Sequence, residues 1–295
     1  MKDFILENQG TKLTCYEWSV ANPEKVVMII HGLAEHAVRY DDFAKHLNSK
    51  NLGVYSMDLR GHGRSIDDGL GVFRKKNGWE MVVDDISKLY AHIKKKNPDK
   101  PIVLFGHSMG SIFSRAILQK TSDEYEKCVL SGVTVSKPGL RDVAPFMASL
   151  FPSQKPAKLL DNMTFGDFNK AFTPNRTKFD WLSRDEAQVD KYVQDEKCGF
   201  VASGSMFKDV AGVLLYTLKD SNIKAMPKET PIFIISGDKD PAGNFGYDAK
   251  FLADSYTDAG LVVRYKLYED ARHEILNETN NQEVYNDVSD FVLNS

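Results

Sequence analysis

The sequence lacks the features of secreted, membrane-spanning and nucleic-acid-binding proteins. No window approaches the apolar length that a bilayer span requires, and Met1 to Phe4 do not begin the long apolar segment of a signal peptide. The 38 basic and 41 acidic side chains nearly balance, giving a net charge of −3 and a pI of about 6.2. We therefore expect no nucleic-acid partner.

Cysteine is also scarce. The chain has three cysteines, Cys15, Cys128 and Cys198, which are widely spaced and odd in number. This pattern indicates neither a disulfide framework nor a metal cluster, so a cytoplasmic location is the expectation. The length of 295 residues and the apolar fraction of 42% are sufficient for one large α/β domain with an insertion.

The chain is organised around residues 101–110, which read P-I-V-L-F-G-H-S-M-G. The apolar run at 102–105 predicts a strand that is buried on both faces. The G-x-S-x-G pattern that follows is typical of a tight strand-to-helix turn that projects a nucleophilic serine, here Ser108. Both glycines are needed because side chains there would collide with each other or with the neighbouring backbone. The amides that begin the next predicted helix, 109–119, would face charge that develops near Ser108.

Strand and helix patterns alternate along most of the chain. After a hairpin over 2–18, strands are predicted at 26–30, 53–57, 127–133, 232–236 and 261–268, and helices at 40–50, 79–96, 245–257 and 282–293. This alternation predicts the α/β class, with a mostly parallel sheet and helices on both faces. Between 136 and 225 the alternation breaks, while prolines and aromatic residues cluster. We interpret 136–225 as an inserted cap, and 1–135 with 226–295 as the core.

A catalytic serine needs a general base, and the base needs an acid that fixes its tautomer. In the predicted fold the chain order is serine, acid, histidine. Of seven histidines only His273 follows Ser108, and it lies just past the last predicted strand, where catalytic groups gather. The strand ending at Ser236 leads to Asp238 and Asp240, and either carboxylate could serve as the acid.

Two hydrogen-bond donors are needed for the oxyanion that forms during acyl transfer. One should be the amide of Met109, the residue after the proposed nucleophile. The other should come from the loop after an early strand, and we assign it to the amide of Leu33, because Gly32 allows a close backbone approach. His31 is interpreted as a hydrogen-bonded scaffold.

Three motifs together resemble a known family: H-G-L-A-E-H at 31–36, D-L-R-G-H-G-R-S at 58–65 and G-H-S-M-G at 106–110. They are similar to the monoacylglycerol lipase and lysophospholipase-like branch of the α/β-hydrolases. The resemblance implies the α/β-hydrolase fold and a cap that shapes an acyl-chain tunnel. It also implies Asp240 as the acid and His273 as the base, with the oxyanion hole formed by the amides of Leu33 and Met109.

The sequence therefore predicts a serine hydrolase that acts on carboxylic esters, with a monoacylglycerol-like or lysophospholipid-like substrate. Its proposed triad is Ser108, His273 and Asp240, and the chemistry needs neither a metal nor an organic cofactor. Exposed apolar surface on the cap would allow transient contact with a membrane or lipid surface.

Other functions fit the same residues. An aminopeptidase would need an acidic anchor for a free amino group, which Asp185, Glu186 or Asp190 could supply, and a thioesterase would use the same site unchanged. A ligand-binding receptor on a hydrolase scaffold should lack a triad member, and none is missing. Glu35 and His36 form a weak metal pair without a third partner, so we expect them to fix their loop by hydrogen bonds. Cys198 is interpreted as an ordinary buried thiol.

Overall fold

In the computed structural model, residues 1–121, 124–135 and 140–294 are described, with the backbone alone at 140–142. The predicted start of the cap at Ser136 lies outside these residues. No described helix is long and apolar enough to cross a bilayer.

The described chain forms one eight-stranded sheet. Its strands are β1 (Lys2–Asn8), β2 (Thr11–Trp18), β3 (Lys25–Ile30), β4 (Leu52–Met57), β5 (Ile102–His107), β6 (Lys127–Ser131), β7 (Ile232–Gly237) and β8 (Val263–Tyr268). They lie in the order β1-β2-β4-β3-β5-β6-β7-β8. Strand β2 pairs antiparallel with β1 and β4, and every other pairing is parallel. The predicted α/β class and mostly parallel sheet are confirmed.

Helices cover both faces of the sheet. They are α1 (Asp41–Ser49), α2 (Gly78–Lys96), α3 (Met109–Lys120), α4 (Leu140–Ser149), α5 (Lys158–Phe165), α6 (Glu186–Gln194), α7 (Gly204–Thr217), α8 (Asp220–Lys224), α9 (Tyr247–Asp258) and α10 (Asn281–Leu293). Alternate side chains of β3 point to opposite faces, as the period of a strand requires. Val26 and Met28 pack with α2, α3 and α9, whereas Val27 and Ile29 pack with α1 and α10.

Some predicted boundaries shift for identifiable reasons. The helix expected from Phe245 begins at Tyr247, because Asn244 and Phe245 have φ values of 51° and 55°, outside the right-handed helical region. The strand expected from Leu261 begins at Val263. Within 136–225 the sequence predicts one helical pattern, at 210–218, where α7 lies. Helices α4, α5 and α6 are not predicted, since prolines and clustered aromatic residues obscure their periodicity. We call residues 140–225 the cap segment.

Candidate active site

Ser108 occupies the turn between β5 and α3 with φ 53° and ψ −119°, a conformation that few non-glycine residues adopt. Close backbone contacts hold it there. A Cβ atom on Gly110 would lie 2.0 Å from the carbonyl oxygen of Ile30, and one on Gly106 would lie 2.4 Å from that of Gly110. The amide of Ser108 donates to the carbonyl of Ser131 at 2.9 Å. Because neither glycine has a side chain, α3 can cross close to the end of the sheet, and this crossing fixes the position of Ser108.

The structure brings Ser108, His273 and Asp240 into one hydrogen-bonded chain. The Oγ of Ser108 lies 2.9 Å from Nε2 of His273, and Nδ1 of His273 lies 2.9 Å from Oδ2 of Asp240. Asp240 is fully buried, and its Oδ1 accepts the amide of Ala242. Asp238, the other candidate acid, instead lies 3.4 Å from the ammonium group of Lys239. Of the two candidate acids, Asp240 is therefore the one that contacts His273.

The environment of His273 suits a general base. Burial disfavours the imidazolium, but the carboxylate of Asp240 and its hydrogen bond outweigh that cost, so the pKa of His273 lies above its usual value. With its Nδ1 proton directed at Asp240, the neutral ring offers Nε2 as an acceptor to the Ser108 hydroxyl. The ring can thus take the serine proton and be stabilised as the cation.

The loop 31–36 lies against the serine, and side-chain hydrogen bonds hold its backbone. His31 accepts the amide of Leu59 at Nε2 (2.9 Å), so its Nδ1 carries the proton and donates to the carbonyl of Gly32 at 2.7 Å. In a planar trans peptide the N–H points opposite to the C=O, so this bond fixes the direction of the Leu33 amide. Gly32 lies against the nucleophile, since a Cβ there would be 3.2 Å from Cβ of Ser108. Among the described residues, neither Leu33 nor Met109 donates its amide to a protein acceptor.

A buried ionic network supports this loop. Glu35 accepts the amide of Gly32 at 2.6 Å and the hydroxyl of Tyr40 at 2.9 Å. Arg39 contacts Glu35 at 2.7 Å and binds Glu274 through two nitrogens at 2.6 Å each. Burial would raise the pKa of Glu35, but the Arg39 charge and the nearby histidines hold it at about 2. Glu35 therefore fixes its loop by hydrogen bonds, as expected from the sequence.

The other histidines near the site are poor candidates for a second base. The ring of His107 lies 4.9 Å from that of His273, and burial together with this neighbour lowers the pKa of His107 to about 4. Burial likewise lowers the pKa of His62 to about 3, and its Nδ1 donates to the carbonyl of Arg60. Both rings are therefore neutral near pH 7 and serve as packed scaffold.

The cap segment contacts the proposed base directly. The backbone amides of His273 and Glu274 donate to the carbonyls of Trp181 (3.4 Å) and Leu182 (2.7 Å). The ring of Trp181 packs against the imidazole of His273, with 5.1 Å between centroids. The position of His273 therefore depends on the cap segment as well as on the sheet.

Glu278 joins the cap segment to the loop that carries His273. Its carboxylate is buried and accepts Nε of Arg184 (2.8 Å) and the amides of Arg184 (3.1 Å), Arg272 (2.8 Å) and Thr279 (3.1 Å). Sequence reasoning missed Glu278 and Trp181. A charged or aromatic residue in a loop gives no sign of its role until the fold supplies its partners.

The three acidic residues considered for an amino-group anchor have other partners. Asp185 caps α6 by accepting the amides of Ala187 and Gln188. Glu186 and Asp190 lie 3.6 Å and 2.6 Å from the guanidinium group of Arg176. All three carboxylates therefore already have hydrogen-bond or ion-pair partners within the cap segment.

A family model described as serine aminopeptidase, S33, matches residues 21–280. The chain belongs to this family. It is 28% identical over 289 residues to the monoacylglycerol lipase of Mycolicibacterium smegmatis, covering 96% of this chain and 94% of that protein. It is 27% identical over 281 residues to the monoglyceride lipase of Mus musculus, covering 93% of this chain and 84% of that protein.

Solved structures agree with this membership. A lipase in its open form superimposes with a TM-score of 0.87 at 27% identity, covering 99% of this chain and 97% of that chain. The expected α/β-hydrolase fold and the resemblance to monoacylglycerol lipases are both confirmed.

Replacing Asp240 with Asn tests the choice of acid. The amide cannot stabilise the imidazolium or hold the same tautomer, so kcat/KM for an ester should fall by roughly 10⁴-fold. Because the pKa of His273 is raised, the wild-type enzyme should lose activity as the pH falls through a value above about 6.5. In Asp240→Asn the residual activity should persist to lower pH. A pH series of kcat/KM measures both effects.

Asp238→Asn is the matched control. Its carboxylate faces a surface lysine, so kcat/KM should stay within about threefold of wild type. A larger loss from Asp238→Asn than from Asp240→Asn would assign the acid to Asp238 instead.

Replacing Glu278 with Gln tests the connection between cap segment and base. In the variant, the side-chain amide nitrogen would face N–H groups that bind a carboxylate oxygen in the wild type. The free energy of unfolding should therefore fall by about 2–3 kcal/mol. Displacement of His273 should lower kcat by roughly 10- to 100-fold. Urea unfolding and steady-state kinetics measure the two quantities.

Glu283→Gln serves as the control, because Glu283 is an exposed partner of Lys266. It should change the free energy of unfolding by no more than about 0.5 kcal/mol. Equal kinetic effects of the two substitutions would show that Glu278 does not position His273.

Proposed function

We propose that this protein hydrolyses monoacylglycerols through the triad Ser108, His273 and Asp240. The protein is a serine ester hydrolase of the monoacylglycerol lipase type, as its family and its relatives indicate. The observation that carries the assignment of residues is the continuous hydrogen-bonded chain from Ser108 through His273 to buried Asp240.

The first half of the reaction makes an acyl-enzyme. His273 Nε2 takes the hydroxyl proton as Ser108 Oγ attacks the ester carbonyl carbon. The resulting oxyanion accepts hydrogen bonds from the amide of Leu33 and from the amide of Met109, the first residue of α3. When the tetrahedral intermediate collapses, the bond to the glycerol oxygen breaks and that oxygen receives the proton from His273.

Water completes the cycle. It attacks the acyl carbon while His273 accepts its proton, and the same two amides hold the second oxyanion. The bond to Ser108 Oγ then breaks, Oγ regains the proton, and the fatty acid leaves. Throughout, Asp240 keeps its negative charge and stabilises the imidazolium of His273.

An aminopeptidase activity is the less favoured reading of the same triad. The family description names aminopeptidases. In this chain, however, the acids that could bind an amino group already cap a helix or pair with Arg176. Lysophospholipase and thioesterase activities need no change in the triad and are outcomes of the test below.

A hydrolysis profile tests the proposal. The substrates are monoacylglycerols, a lysophospholipid, p-nitrophenyl esters of increasing acyl length, an acyl thioester and aminoacyl amides. We expect the highest kcat/KM on medium or long acyl chains with glycerol as leaving group. Activity on aminoacyl amides alone would overturn the ester assignment, and a preference for lysophospholipid or thioester would change the substrate.

Ser108→Ala is the blank for this profile. Alanine keeps the Cβ atom and removes only the nucleophile, so the fold should persist while hydrolysis is lost. Ser255→Ala, at a serine on the surface of α9, should retain full activity. Substantial ester hydrolysis by Ser108→Ala would exclude Ser108 as the nucleophile.

The cap segment also suits contact with a lipid surface, where monoacylglycerols reside. Ala148 of α4 and Leu160 of α5 belong to one small apolar cluster, which also contains Ala157. Helix α4, the residue that follows it and helix α5 expose five apolar side chains, with 48–66% of each residue accessible: Val143, Phe146, Leu150, Leu159 and Met163. A patch of this kind is typical of interfacial binding. We propose that it rests transiently on lipid while substrate enters beneath the cap, the region predicted at 136–225.

The double substitution Phe146→Ser and Leu150→Ser should reduce binding to phosphatidylcholine vesicles by about tenfold or more, because each lost side chain removes apolar area that lipid would bury. Vesicle co-sedimentation measures this effect. Hydrolysis of a short soluble ester should be unchanged.

The control is Val262→Ser, which removes an exposed apolar side chain next to β8. Equal binding of the double variant and the wild type would exclude α4 as the lipid contact.

The cytoplasmic location remains a prediction, consistent with three free thiols, and fractionation of the native source would test it.

A further inference from the structure

A second cluster of chemically active side chains lies where the cap segment meets the loop 31–36. Nε2 of His36 is 2.7 Å from Oδ2 of Asp195. One ligand atom each from His36, Asp195 and Cys198 lie within 4.8 Å of one another. Among the described residues, this is the one group of three histidine, cysteine or acidic side chains with such spacing. None of the three belongs to the proposed triad.

A turn in the cap segment presents two of these side chains together. The amide of Cys198 donates to the carbonyl of Asp195 at 2.9 Å, and Gly199 follows in a left-handed conformation with φ 64°. Two residues separate Asp195 from Cys198, a spacing that chelating pairs use in zinc sites. The amide of Gly199 donates to the carbonyl of Ala34 at 2.9 Å, which holds the turn against the loop that carries His36.

We propose that His36, Asp195 and Cys198 bind one divalent cation of the zinc class. An imidazole nitrogen, a carboxylate oxygen and a thiolate sulfur are the ligands that Zn²⁺ prefers, and water would take the fourth position of the tetrahedron. With bonds of about 2.0–2.3 Å, tetrahedral ligand atoms lie roughly 3.5 Å apart. The longer separations, up to 4.8 Å, would therefore shorten by about 1 Å, and the 2.7 Å contact between His36 and Asp195 would lengthen by roughly 0.6 Å. As the bonds to the cation form, the Cys198 thiol gives its proton to solvent. The proton that Nε2 of His36 directs at Asp195 moves through solvent to Nδ1, so that Nε2 can bind the cation.

The electrostatic surroundings favour a dication. The ligands carry two negative charges once the thiol has ionised, so a divalent cation neutralises them. Next to them, the buried carboxylates of Glu35 and Glu274 share the positive charge of Arg39, and Lys197 places a second positive charge near Asp195. The side chain of Asp195 is 34% exposed and gives solvent a route to the site, whereas His36 and Cys198 are buried.

The cation would tie the cap segment to the loop that presents the Leu33 amide. That junction already has two hydrogen bonds at the carbonyl of Ala34, from the amide of Gly199 and from the hydroxyl of Tyr192. Because the three ligands come together only in the folded chain, the cation should raise the unfolding temperature.

Titration of the chelator-treated protein with Co²⁺ tests the site. Co²⁺ takes zinc ligands and gives an intense near-ultraviolet charge-transfer band when a thiolate binds it. We expect this band to saturate at one Co²⁺ per chain and Zn²⁺ to displace it. Cys198→Ser should abolish the band, while Cys128→Ser, at a buried thiol in β6, should retain it.

Two further variants keep the test decisive if Cys198→Ser folds poorly. Asp195→Asn keeps an oxygen to accept the amide of Lys197 and so preserves the turn. Asp195→Asn and His36→Asn should each weaken Co²⁺ binding by at least about tenfold. Absence of a thiolate band in the wild type would overturn the proposal. So would a band that survives both Cys198→Ser and His36→Asn, since the cation would then bind elsewhere.

Discussion

The site depends on the close contact between the backbone of Gly110 and the carbonyl of Ile30. No side chain fits between them, because a Cβ atom on Gly110 would lie 2.0 Å from that oxygen. The contact brings the first turn of α3 against the end of β3 and leaves Ser108 at the crossing, in a strained conformation. The loop that follows β3 begins at the same point. A single close backbone approach therefore brings Ser108, the start of α3 and the loop 31–36 together.

Two further constraints act on this crossing. The loop 31–36 is fixed from within by His31 and Glu35, which hold the carbonyl and the amide of Gly32. The loop that carries His273 is fixed from outside by the carbonyls of Trp181 and Leu182 in the cap segment. The buried ion pairs of Arg39 with Glu35 and Glu274 join the two loops, and losing one partner would leave an uncompensated buried charge. Cap geometry and catalytic geometry are consequently coupled.

The parts of the fold and of the site that could be predicted are those marked by a pattern of neighbouring residues or by their order in the chain. The apolar run of β5 and the glycines around Ser108 encode the turn within ten residues, and the position of His273 follows from chain order. Asp238 and Asp240 could not be separated without the family resemblance, because only the fold shows which carboxylate is buried against the histidine. Trp181 and Glu278 gave no signal, since their partners are distant in the chain. His36 was singled out in the sequence, but its hydrogen-bond partner Asp195 could not be predicted, because it lies far along the chain.

The central claim is that Ser108 attacks while the amides of Leu33 and Met109 receive the oxyanion. A crystal structure of the enzyme after reaction with a long-chain alkyl fluorophosphonate tests this claim most directly. We expect a phosphorus–Oγ bond at Ser108, with the phosphoryl oxygen within hydrogen-bond distance of both amides and the alkyl chain beneath the cap segment. An adduct on another residue, or a phosphoryl oxygen directed away from Leu33 and Met109, would contradict it.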